Sequence, residues 1–138
     1  MTNTNRIRLI RGSEHTGDTR NGVVSLANDA DPLMLKDRMD GIVRIELHFP
    51  HFTDGRAYSQ AYLLRRRMGF KGDLRATGDV LIDQLIQMER TGFSSAVLKE
   101  DVDPADAQRQ LERFPAFYQS DVAHEVRPLR GDASLKQR

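Results

Sequence analysis

A strand, a short turn, a helix and a glycine succeed one another several times along this chain. That recurrence limits the fold more than any single motif does. Met68-Gly69-Phe70 returns as Thr91-Gly92-Phe93, and Asp29-Ala30-Asp31-Pro32 returns as Asp101-Val102-Asp103-Pro104. Gly78-Asp79-Val80 returns loosely as Glu100-Asp101-Val102. Short loops between apolar strands and amphipathic helices favour parallel strands joined by right-handed crossovers. The expected fold is α/β: a small, mainly parallel sheet of successive βα units, open or curved like part of a barrel, with helices packed on it. With 138 residues there is room for one core rather than two. The pattern occupies residues 22–126 as a single α/β domain. A polar N-terminal arm, 1–21, precedes it, and a polar tail without periodicity, 127–138, is expected to be disordered.

Local chemistry places the elements. Within the arm, Ile7, Leu9 and Ile10 read as a short strand at the sheet edge, and Thr16-Gly17-Asp18 as a turn. Val23 to Leu26 is the next strand. Asp31 then caps a short helix over Leu33 to Met39, with Pro32 at its first position. From Ile42 to Phe49, Val43, Ile45, Leu47 and Phe49 alternate with Arg44, Glu46 and His48, the period of a strand. Ala57, Ala61, Leu64 and Met68 mark one stripe of a helix that Gly69 stops. Arg65, Arg66 and Arg67 at its end read as a solvated face, where the helix dipole favours cations. Asp73 to Thr77 is a strand, Val80 to Arg90 a helix and Ser95 to Leu98 a strand. Asp103-Pro104 opens a last helix that turns Ala107, Leu111 and Phe114 inward until Pro115.

Composition narrows the function. Net charge is +1, so no overall field draws the chain to nucleic acid or to an anionic membrane. The absence of cysteine removes disulfides, thiolate nucleophiles, thiolate-held clusters and Cys-type zinc sites. No metal site is expected, because His48 and His51 point to opposite faces of a continuous strand; the cofactor is left unknown, and no phosphate-cradling glycine fingerprint occurs. With no apolar run of membrane length and no h-region at the start, the expected location is the cytoplasm.

Parallel βα units gather their post-strand loops on one edge, where ligands bind. Here that edge collects Asn28, Asp29, the Pro50–Arg56 turn, Thr77-Gly78-Asp79 and Lys99-Glu100-Asp101. The candidate ligand-binding residues are Thr53, Asp54, Gly55, Arg56, Tyr58, Arg75, Gly78 and Asp79. Asp54 and Asp79 read as helix caps or as an acid–base pair. Arg56 opposes the dipole of the helix it opens. Either Asp54 or Glu46 compensates it, or it holds an anion with the turn's N–H groups. Arg75 is either the polar face of a strand or a second cation directed at this site. A short sheet of this kind leaves apolar surface uncovered, which predicts a homodimer or larger.

Two blocks carry a family resemblance. One runs Phe49-Pro50-x-Phe52-Thr53-Asp54-Gly55-Arg56-x-Tyr58-Ser59-x-Ala61-x-Leu63-Leu64-Arg65. The other is Gly72-x-Leu74-Arg75-Ala76-x-Gly78-Asp79-Val80-Leu81-x-Asp83-Gln84-Leu85. They resemble an uncharacterised bacterial family labelled as a probable oxidoreductase associated with sulfite reductase. The resemblance implies a link to assimilatory sulfite and sulfate reduction, with sulfite reductase or another sulfur-assimilation enzyme as partner. Family members often carry a cysteine before the Gly-Phe pair, where this chain has Thr91. Three readings follow: an accessory protein that holds a small oxyanion at the strand-end edge, a small oxidoreductase or other enzyme of sulfur assimilation, and, more weakly, a nucleic-acid-binding module using Arg65 to Lys71.

Overall fold

The computed structural model describes residues 6–15 and 22–113. The expectations for Thr16-Gly17-Asp18, for Phe114 and Pro115, and for the tail from 127 onward lie outside those residues. Five strands form one sheet: β1 (Arg8–Ile10), β2 (Val23–Leu26), β3 (Arg44–Phe49), β4 (Asp73–Gly78) and β5 (Ser95–Val97). The order is β1-β5-β4-β3-β2 and every pairing is parallel. From β2 to β5, sequence neighbours are sheet neighbours, as the βα recurrence requires. β1 adds to the far edge beside β5, so Arg8–Ile10 of the N-terminal arm belong to the sheet, with Ile7 in the core. Glu89 fixes that docking by accepting the Ile7 N–H at 2.7 Å, and it pairs with Arg6.

Three α-helices accompany the strands: α1 (Arg56–Tyr62), α2 (Leu85–Thr91) and α3 (Pro104–Leu111). α1 continues through a wider π turn, Leu63–Arg67. The helix expected after β2 is a 3-10 helix, Pro32–Gly41, capped as foreseen by Asp31, which accepts the Leu33 N–H. The helix expected from Val80 starts later, with a 3-10 turn at Ile82–Gln84 leading into α2. Asp103 caps α3 through the Ala105 N–H, and Pro104 follows at its first position. In both caps an aspartate satisfies a free N–H while proline has none to lose.

The core lies on one side of the sheet. Ile45, Leu47 and Phe49 of β3, with Leu74 and Ala76 of β4, meet Ala57, Ala61 and Leu64 of the first helix, and Leu85 and Met88 of the second. The alternate positions form the opposite face, and register aligns them: Arg44 with Asp73, and Glu46 with Arg75 and then Ser95. Glu46 and Arg75 are nonetheless only 5% and 8% exposed. His15, just after β1, lies against both, with Nδ1 3.3 Å from Arg75 Nη1 and Nε2 3.6 Å from Glu46 Oε1. A guanidinium only donates, so Nδ1 is the acceptor. Asp73 completes this layer, accepting from Ser95 at 2.9 Å and pairing with Arg75 at 3.3 Å, while Arg75 Nε donates to Ser95 Oγ at 3.0 Å.

Candidate functional site

The carboxyl ends of the strands bring the β3–α1 turn next to the loops after β2, β4 and β5. Asp54 is the centre of its half. Its two oxygens take a forked pair of bonds from Arg56, at 3.1 and 2.8 Å. The carboxylate also accepts the Arg56 backbone N–H at 3.1 Å and Asn28 Nδ2 at 2.6 Å. These donors, with Arg56 foremost, hold the Asp54 pKa down at about 2 from the ordinary 3.8. The charge opposing the dipole at the start of α1 is therefore compensated by Asp54. Glu46, the other carboxylate considered for Arg56, is on the opposite sheet face and pairs with Arg44 at 3.0 Å.

The reading of Asp79 as a helix cap does not hold, because no helix begins at it: the next helical turn starts at Ile82. Its carboxylate instead accepts the Phe52 N–H at 2.8 Å and pairs with Lys99 from the loop after β5. Lys99 and the Phe52 N–H lower its pKa. Gln84 adds a bond to the Phe52 carbonyl at 2.9 Å, so the β3–α1 turn is tied down from the β4 side. Gly78, at φ +93°, makes this close approach feasible: a Cβ there would collide with the Phe49 carbonyl and the His48 ring.

Tyr58 sits one turn into the helix, against Phe49 and Phe93, with ring centroids 5.1 and 6.3 Å away. Its hydroxyl is buried without a partner, and burial pushes its pKa up to about 12. Thr53 and Gly55 are exposed in the turn. Arg75 does not join these residues. It pairs in register with Glu46, whereas Gly78 aligns with Phe49 at the strand end, and its side chain belongs to the helix-opposed face. Burial and then the neighbouring Arg44 lower its pKa.

The turn borders an open cleft of about 350 Å³ between the loop after β2 and the first helix. Asn28, Asp29, Arg56, Ser59, Gln60 and Leu63 line it. Gln60 Nε2 donates to the Ala27 and Ala30 carbonyls at 2.8 and 2.9 Å, which fixes the loop. Gln60 and Ser59 were not singled out from sequence, although Gln60 is a polar residue directly before Ala61 on the apolar stripe. That position was the available signal. Arg65 was also misread as solvated. It donates to the carbonyls of Gly92 at 2.9 Å, Phe70 at 2.9 Å and Gly72 at 2.8 Å, clamping the loops on either side of β4. Among the described residues no group of His, Asp and Glu side chains is arranged to hold a metal ion, and no helix is long and apolar enough to cross a membrane.

Fold and edge together define a small α/β domain with an all-parallel sheet and an open cleft at its strand ends. The profile of a family described as bacterial protein of unknown function (DUF934) matches residues 23–129, most of the chain, and the chain belongs to that family. No curated protein and no solved structure matches it.

Proposed function

We propose that the protein is an accessory of assimilatory sulfite and sulfate reduction that binds a small oxyanion at the strand-end edge, without itself performing the redox step. The link to sulfur assimilation comes from the resemblance of the Phe49–Arg65 and Gly72–Leu85 blocks. The observation that supports binding over catalysis is that both carboxylates of the candidate acid–base pair are already engaged. Asp54 is held by Arg56 and Asn28, and Asp79 by Lys99 and the Phe52 N–H. Carboxylates tied in this way suit fixed recognition better than proton transfer.

Arg56 is the group available to an anion. Its side chain is 62% exposed, and Asp54 takes only the Nε and Nη2 edge of a guanidinium that carries five N–H donors. Asn28 holds Asp54 from behind, so the carboxylate stays in place while the rest of the fork turns to the ligand. Partner docking has a candidate surface close by. Leu33 and Met34 on the 3-10 helix and Tyr62 on α1 are 49%, 64% and 47% exposed, and these two elements frame the cleft. Exposed apolar side chains of this kind suit a protein partner, here sulfite reductase or a second copy of the chain.

Calorimetric titration with sulfite, sulfate and phosphate tests the anion site. Saturable binding should weaken roughly ten-fold or more in Arg56→Ala, the scale of a charged hydrogen bond, with the melting temperature unchanged. A variant that melts several degrees lower while its anion response stays intact would overturn the reading. Co-purification of tagged protein with sulfite reductase tests the partnership.

A further inference from the structure

The cleft carries more negative than positive charge, and this bears on what it can hold. Two carboxylates, Asp54 and Asp29, act on the single guanidinium of Arg56. Asp54 is engaged by Arg56 and Asn28, but no described residue hydrogen-bonds the exposed carboxylate of Asp29, which lines the same cleft. An anion held by Arg56 therefore has the Asp29 carboxylate nearby, and an anion that carries its own ammonium group can use that carboxylate as well.

A second, independent feature concerns Gln60. It is only 5% exposed, lines the cleft, and commits both hydrogens of its amide to the Ala27 and Ala30 carbonyls. Those bonds fix which end is nitrogen. The other end, Oε1, is buried and has no hydrogen-bond partner, so Gln60 serves as a fixed wall of the cleft. The cleft thus presents an open guanidinium edge and a free carboxylate to a ligand. Its volume of about 350 Å³ suits a small molecule.

We propose that this cleft binds a small zwitterion, a molecule with an anionic head and an ammonium group, as in an α-amino acid or an aminosulfonate. The anionic head meets the free N–H groups of Arg56 and the ammonium meets Asp29, against a wall that Gln60 holds rigid. The ligand's own ammonium offsets the excess negative charge that a bare anion would face. The proposal rests on the oxyanion reading only in taking Arg56 as the group that holds the anionic head.

The test is calorimetry on the full chain with L-serine and taurine as probes, and with acetate, ethylammonium and sulfite as single-charge controls. At least one zwitterion should bind saturably, with acetate and ethylammonium each roughly ten-fold weaker or absent. Asp29→Asn should weaken the zwitterion about ten-fold while sulfite binding stays the same or tightens, because a repelling charge is gone. Arg56→Ala should weaken both. Acetate binding as tightly as L-serine and taurine, or an Asp29→Asn variant that binds the zwitterion unchanged, overturns the proposal. Arg56-dependent sulfite binding with no response to either zwitterion removes this inference and leaves the oxyanion reading standing. Zwitterion binding without sulfite binding does the opposite.

Discussion

Arg75 and Arg56 each bond a carboxylate two residues earlier in the chain, yet they do different work. Arg75 reaches Asp73 and also Ser95 and His15, and its side chain is 10% exposed. Arg56 reaches Asp54 alone and is 62% exposed. A buried guanidinium whose neighbours leave few donors idle acts as part of the framework, because removing it takes a bond from several partners in a dry environment. A surface guanidinium held along one edge adds little to stability and keeps donors for a ligand. The same pair of residue types is structural in one place and available for recognition in the other, and burial makes the difference.

Removing the buried member should have the largest effect. Arg75→Ala leaves Ser95 and His15 without their guanidinium partner and Asp73 with Arg8 alone, and should cost about 3 kcal/mol in urea denaturation. A loss under about 1 kcal/mol would place Arg75 with the surface pairs and break the contrast. Arg65 extends it to a cation that bonds only carbonyls. Arg65→Ala should cost about 2 kcal/mol, and Arg65→Lys should recover little, since one ammonium cannot span the Gly92, Phe70 and Gly72 oxygens. Equal stability of the lysine variant and the parent would show that charge, and not the fork, matters there.

Tyr58 sharpens the contrast from the side of an unmet group. Its hydroxyl is buried without a partner, so Tyr58→Phe should leave stability unchanged or raise it by about 1 kcal/mol. A clear loss of stability would reveal a hydrogen bond made by that hydroxyl in solution.

The smallest effect belongs to Asp54, and it depends on pH. The folded pKa, about 2, lies below the ordinary 3.8, so the carboxylate's contribution is present above the ordinary value and fades as pH falls through about 2. The melting-temperature difference between the parent and Asp54→Asn should be constant from neutrality down to about pH 5, then close as acid is added. A difference that grows on acidification would show that Asp54 is not held as a carboxylate by Arg56.

Much of the fold was legible because its signals are local. The alternation from Ile42 to Phe49, the Asp-Pro starts at Asp31-Pro32 and Asp103-Pro104, and the helix-ending glycines Gly69 and Gly92 are each decided by a few neighbouring residues. Gly92 shows this well: its φ of +118° closes α2 as a left-handed cap, and a Cβ there would also collide with Arg65. The candidate site was legible in part. Asp54 with Arg56 and Asn28, and Asp79 with Lys99 and the Phe52 N–H, form two groups in the loops at the strand ends. Of the two readings of Arg75 the strand-face one holds and its place among the ligand-binding candidates does not, since strand alternation gives a side chain one of two faces without saying which face meets the ligand.

By itself the sequence determined the succession of βα units, their parallel sense and the edge on which their loops collect, because hydrophobic period and short loops dictate these before any long-range contact forms. Only the tertiary structure decided that β1 lies beside β5, that Asp79 ties the β3–α1 turn to Lys99, that Arg65 clamps three carbonyls, and that Gln60 fastens the loop after β2 to α1. The reason is register. Which charged group meets which depends on how strands far apart in the chain align, and a pattern read along one strand carries no record of its neighbour's offset.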